Sequence, residues 1–324
     1  MLKTVLIVHV LFTLAYGLQY DGLRAKFGWS NALEDVEYFF KIPRTIKEAE
    51  ADGWRRTERP PGPLPELRMY CPPGRNVCPL YDTAGSVSGL QVGFPVEEFV
   101  SPVVKPEKLF VKWHAPAADG EPAKDFYTST QFYVSEESLK AGAGPTIENG
   151  ATLQDGGVWV KGPDGHLMRI PTTEAELNST KYKKQNCIPN MGTHYYYNMT
   201  RQMACEDFFP WFALVTQGDL IGTGFQVIGK LNNKSQKHRN WFEDFSNPEK
   251  SIQTSMPLAP DCMADWMSKY GLISLHIYFT NTPWEIKCRT GDSIQLAPPL
   301  DRLILNSVRY AYQISDEVTK LFSG

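Results

Sequence analysis

The chain predicts a β-rich α+β fold, with antiparallel sheets arranged as a sandwich or in a barrel-like way and accompanied by a few short helices. Eight short runs rich in β-branched and aromatic residues, at 87–94, 109–114, 126–134, 157–160, 193–199, 212–215, 220–228 and 272–280, are separated by Gly, Pro, Asn and Asp. Runs of that length bounded by turn residues form half-buried strands rather than helices. Gln217-Gly218-Asp219 and Gly162-Pro163-Asp164-Gly165 join consecutive runs with hairpin-turn chemistry. Only residues 261–270 hold a clear helical period: Met263, Trp266, Met267 and Tyr270 fall on one face and Gly271 supplies the stop.

Taken in order, the elements begin with a leader. Lys3, an apolar stretch over 4–14 and the small residues Ala15 and Gly17 match a secretory signal peptide, residues 1–17, which leaves a mature chain from Leu18. No later window has the roughly 20 apolar residues of a membrane span, so an extracellular, secreted protein is expected. Residues 18–79 read as a helical and Pro-rich segment. Asn31 with Glu34, and Thr45 with Glu48, have capping-box spacing for two short helices. From Arg59 to Pro79 the prolines predict an irregular connector. Residues 80–324 form the β-rich part, with 303–312 ambiguous between helix and strand.

Six cysteines, Cys71, Cys78, Cys187, Cys205, Cys262 and Cys288, lie beyond the leader, an even number suited to disulfides in an oxidising compartment. Fifteen pairings exist for six cysteines. The sequential one is expected because each pair brackets a short local excursion. Cys262 with Cys288 would then tie the 261–270 helix to the segment after the 272–280 strand. The sequons at Asn178, Asn198 and Asn233 mark expected N-glycosylation sites.

The stretch from Cys187 through Gly192-Thr193-His194-Tyr195-Tyr196-Tyr197-Asn198, then Cys205-Glu206-Asp207-Phe208-Phe209-Pro210, the hairpin through Gly222 and Gly224, Leu275-His276-Ile277-Tyr278 before Cys288, and Tyr81 to Leu90 resemble a group of secreted, disulfide-bonded invertebrate proteins with no established activity. The resemblance covers most of the mature chain. It implies a location and no chemistry.

The charge balance, 33 basic against 36 acidic residues and a net charge of -3, excludes the basic excess of a nucleic-acid-binding domain. Phosphate-binding loops and a Gly-x-Ser-x-Gly elbow are missing, since Val87 holds the centre of Gly85-Ser86-Val87-Ser88-Gly89. Five histidines follow the leader: His114, His166, His194, His238 and His276. His194 and His276 each belong to a His-x-Tyr strand, whose alternate residues share a face. If these strands neighbour one another, the two imidazoles converge, and His114 could supply a third ligand for zinc or copper. No His-x-His or His-Glu-x-x-His spacing supports that metal site, and rings packed in a core are the simpler reading. Glu206 and Asp207 could add carboxylates, but such residues beside a cysteine more often form a solvated turn. Tyr196, Tyr278 and Trp211 are the aromatic candidates for stacking on a carbohydrate or an apolar ligand, against the competing reading of an aromatic β core. The leading expectation is an extracellular binding or structural protein with an unknown ligand. The alternatives are a metal-dependent enzyme built on His194 and His276, or a carrier of an apolar or carbohydrate ligand.

Overall fold

The computed structural model describes residues 22–26, 38–118, 120–141, 156–232, 238–243 and 248–293. The leader, the Asn31 helix, Asn233 and the 303–312 stretch lie outside the described residues. In chain order the strands are β1 Arg24–Lys26, β2 Phe39–Lys41, β3 Arg55–Thr57, β4 Arg68–Cys71, β5 Val77–Tyr81, β6 Val87–Pro95, β7 Phe99–Val100, β8 Val111–Ala115 and β9 Lys124–Tyr133. They continue as β10 Val158–Lys161, β11 Leu167–Ile170, β12 Tyr182–Ile188, β13 Gly192–Tyr197, β14 Trp211–Thr216, β15 Asp219–Ile228, β16 Lys230–Leu231 and β17 Leu272–Tyr278. The helices are α1 Ile46–Ala51, α2 Pro106–Leu109, α3 Glu136–Ala141, α4 Glu174–Asn178, α5 Pro248–Ser255 and α6 Asp261–Tyr270.

Two antiparallel sheets carry the molecule. The first has strand order β12-β13-β14-β15-β17-β1-β2, and the second runs β11-β10-β9-β6-β5-β4-β3 with β8 also on β9. Neither closes into a barrel. Their facing sides bury Leu90, Val92 and Tyr133 of one sheet against Ala213, Phe225 and Ile277 of the other. The few polar groups in this layer are matched across it. Trp211 Nε1–H donates to Ser129 Oγ at 2.8 Å, and Thr223 Oγ1–H to Gln131 Oε1 at 2.7 Å. Such pairing removes the cost of desolvating a lone polar atom and holds the two sheets in one relative position.

Both outer faces are also covered, which explains why several strands are buried on both sides. Phe212, Leu214 and Tyr278 of the first sheet's outer side, with Phe208 ahead of β14, pack beneath Met263 and Met267 of α6 and Met256 of the α5–α6 connection. The second sheet's outer side buries Met69, Leu80, Trp113 and Phe126 under the Leu64–Leu67 turn.

Local expectations are met where the signal is local. The predicted 261–270 helix is α6, with Met263 and Met267 buried and Gly271 at φ 87°. Gln217 and Gly218 both take positive φ, 54° and 94°, as a tight two-residue hairpin between β14 and β15 requires. Helix α1 starts on the expected capping box: Glu48 N–H donates to Thr45 Oγ1 at 3.1 Å, and the Glu48 carboxylate accepts from the Thr45 and Arg44 amides. Replacing Thr45 by Ala is expected to lower stability by about 1 kcal/mol in chemical denaturation, while Thr45→Ser stays close to wild type.

The Pro-rich connector is corrected. Residues 68–81 form β4 and β5 inside the second sheet, and β1 to β3 likewise join the sheets. Proline's fixed φ suits an extended chain, and Pro79 pairs with Leu90 of β6 while the β4 ladder reaches only Leu80 and Tyr81. Its missing N–H therefore interrupts no ladder bond to β4.

The cysteine pairing is corrected as well. Cys71–Cys78 forms as expected, but the others are Cys187–Cys288 and Cys205–Cys262, so Cys262 is not joined to Cys288. The helix-to-strand return from α6 through Gly271 into β17 is present. What differs is the neighbour at each end. The start of α6 meets the short 3-10 turn Cys205–Asp207, and the chain after β17 crosses to the β12–β13 hairpin, where Asn190 N–H donates to Ile286 O at 2.9 Å.

Candidate functional site

The outer face of the first sheet contains two adjacent cross-strand rows. One reads Tyr196, Phe212, Gly224, His276, Lys26 and Phe39 across β13, β14, β15, β17, β1 and β2. The other reads His194, Leu214, Gly222, Tyr278, Arg24 and Lys41. Residues directly opposite on neighbouring strands point to the same side, so these rows share one face.

The two His-x-Tyr strands were expected to be neighbours, and they are not. β14 and β15 stand between them, three strand spacings of about 4.8 Å from end to end. The imidazoles nonetheless meet, with Nε2 to Nε2 at 3.4 Å. The physical reason is Gly224 on β15. A Cβ at 224 would lie 1.8 Å from Cζ of Phe212, so the phenyl ring occupies the space where a side chain of β15 would stand. His194 stacks on that ring at 5.6 Å and 22°, and His276 meets it edge-on at 5.3 Å. Tyr196 and Tyr278 flank the pair, each nearly parallel to the histidine of its own strand.

Each histidine is oriented through its other nitrogen. His276 Nδ1–H donates to Glu243 Oε1 at 3.0 Å, and His194 Nδ1–H to the carbonyl of Asn186 at 3.3 Å. Glu243 reaches the site because its segment bridges to Ser274 on β17, beyond the residues that β1 covers. Its Oε1 also lies 3.8 Å from Lys26 Nζ. These groups are sealed: His194 is 1 % exposed, His276 2 % and Glu243 1 %. Desolvation and the neighbouring His276 push His194 down to about 3, which keeps its ring neutral at physiological pH. Burial likewise lowers Lys26, opposed by Glu243, and raises the Tyr278 phenol well above its ordinary range.

With each Nδ1 turned to an oxygen, the two Nε2 atoms face one another at hydrogen-bond distance. Glu243 Oε2, Gln226 Oε1 and the Tyr278 hydroxyl are buried nearby on the same face or its edge and make no hydrogen bond.

The other sequence candidates lie elsewhere. His114 is exposed on β8 of the second sheet, 2.8 Å from Asp125. Trp211 faces the inter-sheet core, bonded to Ser129, and Glu206 and Asp207 are solvent-exposed. Tyr196 and Tyr278 are fully buried around the histidine pair rather than on an accessible surface. Sequence reasoning missed Glu243 and Lys26. Nothing in their local spacing marks them, whereas the Gly222-Thr223-Gly224 interruption of an apolar strand was a usable signal for a side chain crossing it.

Among the described residues no group of three or more His, Cys, Asp or Glu side chains could hold a metal ion, and no helix is long and apolar enough to cross a membrane. No family model, no curated protein and no solved structure matches the chain.

Proposed function

We propose that this is a secreted, N-glycosylated protein with an extracellular binding or structural role, consistent with its resemblance to secreted invertebrate proteins. The observation that carries the reading is the disulfide set: all six cysteines are bonded, and two of the bridges join segments 101 and 57 residues apart. Bonds of that span brace a fold outside the reducing cytosol. Exposure of Asn178 at the end of α4 and of Asn198 after β13 supports glycan attachment at both. The burial of His194 and His276 favours a structural use over catalysis, because a substrate would have to displace the α5–α6 cover to touch either ring.

Expression of the full chain in secretory cells tests the reading. The expected product is recovered from the medium with its N-terminus near Leu18, sugar on Asn178 and Asn198, and no alkylatable thiol before reduction. Retention inside the cell with Met1 intact and free thiols would overturn it.

A further inference from the structure

We propose that the buried His194–His276 pair is an acid-sensitive latch on the α5–α6 cover, closed while the two rings share a single proton and released when a second proton enters. The geometry sets that limit. Each Nδ1–H already has an oxygen, Glu243 Oε1 for His276 and the Asn186 carbonyl for His194, and the Nε2 atoms face each other 3.4 Å apart. One proton between them makes a donor of one nitrogen and an acceptor of the other. A second would set two N–H groups head-on with no acceptor for either. There is also no counter-charge to spare. Glu243 Oε1 lies 3.0 Å from His276 and 3.8 Å from the Lys26 ammonium, which adds a positive charge of its own. The remaining ionisable groups on this face are the phenols of Tyr196 and Tyr278, Arg24 over Trp284, and Lys183 and Lys41, both exposed at the two edges of the sheet. The charged residues of α6 and of the 283–285 turn point to solvent, and residues 251–255 of α5 include none that titrates.

The pair reaches the cover through a bulge in β12. The β12–β13 register shifts between Lys184 and Cys187, which leaves Gln185 and Asn186 outside the ladder, and both are buried. Asn186 uses its carbonyl on His194 and its side-chain amide on the Thr254 carbonyl of α5, the latter at 3.0 Å. Gln185 Oε1 accepts the Leu258 N–H of the α5–α6 connection, also at 3.0 Å. A His194 ring pushed off His276 therefore pulls on the residues that hold the cover down. Cys205–Cys262 keeps the start of α6 attached, so α5 and residues 256–260 can lift and reseat. Burial and the neighbouring His276 hold His194 at about 3, against an ordinary 6.5. The open state thus takes up a proton that the closed state refuses. The stability of closure is fully present above about pH 6.5 and is lost progressively as pH falls toward about 3. The latch needs neither secretion nor glycans.

Amide hydrogen exchange of the full chain between about pH 7.5 and about pH 4.5, with the intrinsic pH dependence divided out, is the test. Opening at the Met256 and Leu258 amides is expected to rise about 50-fold from pH 6.5 to pH 4.5, the amount set by one proton excluded from the closed state, while the amides of β6 and β9 stay protected. His194→Gln, which cannot take up the proton, should lose that rise. His238→Gln, which removes the ion pair with Glu121, should keep it. Nitrogen–proton spectra of the wild-type imidazoles decide the question even if the His194 variant fails to fold. At neutral pH one proton is expected between the two Nε2 atoms, and on acidification His194 should gain its own only in molecules whose cover has opened. An opening that rises less than about fivefold, a rise that persists in folded His194→Gln, or a doubly protonated pair beneath a closed cover would each overturn the proposal.

Discussion

Gly224→Ala is expected to lower the unfolding free energy by about 3 kcal/mol, at the upper end of the usual cost of overpacking. The added methyl would lie 1.8 Å from Cζ of Phe212 and 2.3 Å from both adjacent ring carbons, with Phe212 fully buried. The ring has no vacant volume to enter: His194 and Tyr196 stack against it and His276 meets it edge-on. Moving the phenyl therefore moves the histidine pair as well. Phe212→Ala alone should cost about 3–5 kcal/mol by opening a cavity. Combining the two should cost at least about 1 kcal/mol less than the sum, because the alanine methyl then occupies part of the space left by the ring. Gly222→Ala supplies the contrast. Its Cβ would lie 2.3 Å from the carbonyl oxygen of Ile277, a backbone atom of the adjoining ladder, so Phe212→Ala should give it no relief. Urea denaturation of the single and double variants measures all three effects. A Gly224→Ala protein as stable as wild type would show that the glycine is not what lets the rings cross β15.

The second large effect is expected from the Cys187–Cys288 bridge. Replacing both cysteines by serine should destabilise the protein by about 4 kcal/mol, against about 2.4 kcal/mol for Cys71–Cys78, on the chain-entropy account of cross-linking. The bridges join positions 101 and 7 residues apart. The larger figure is set below the about 4.7 kcal/mol of an isolated loop that long, because Cys205–Cys262 lies inside it and already shortens the free path. Loss of Cys187–Cys288 should also loosen the β12–β13 hairpin. The segment it anchors supplies the Ile286 carbonyl to Asn190 and the Ser293 hydroxyl to the Cys187 amide. Thermal unfolding of the paired serine variants, with proteolysis between residues 187 and 197 as a local probe, checks both parts. Equal losses for the long and short bridges would remove loop entropy as the cause.

The sequence by itself determined the features whose physics is local. The 3.6-residue spacing of Met263, Trp266, Met267 and Tyr270, with Gly271 after them, specifies α6, since the buried stripe and the stop both lie within ten residues. Gln217-Gly218 specifies its hairpin because so few residues accept positive φ, and Thr45 with Glu48 specifies a helix start by closing its own hydrogen bonds. The antiparallel β class follows from short apolar runs punctuated by turns. Tertiary structure alone decided which strands lie side by side, and with that the site. His194 and His276 were visible as a repeated His-x-Tyr pattern, but their meeting depends on β14 and β15 entering between them and on Gly224 leaving room above β15. Glu243 becomes the partner of His276 only because its segment takes the position beyond β1 along β17. The disulfides follow the same division. Cys71 and Cys78 close a local turn that the chain itself defines, whereas the expected partner of Cys262, Cys288, was replaced by Cys205 because of where α6 packs against the 3-10 turn. Backbone conformation responds to a residue's nearest neighbours in the chain. Contacts across a sheet are selected by the burial of whole faces at once, and no short window of sequence contains that sum.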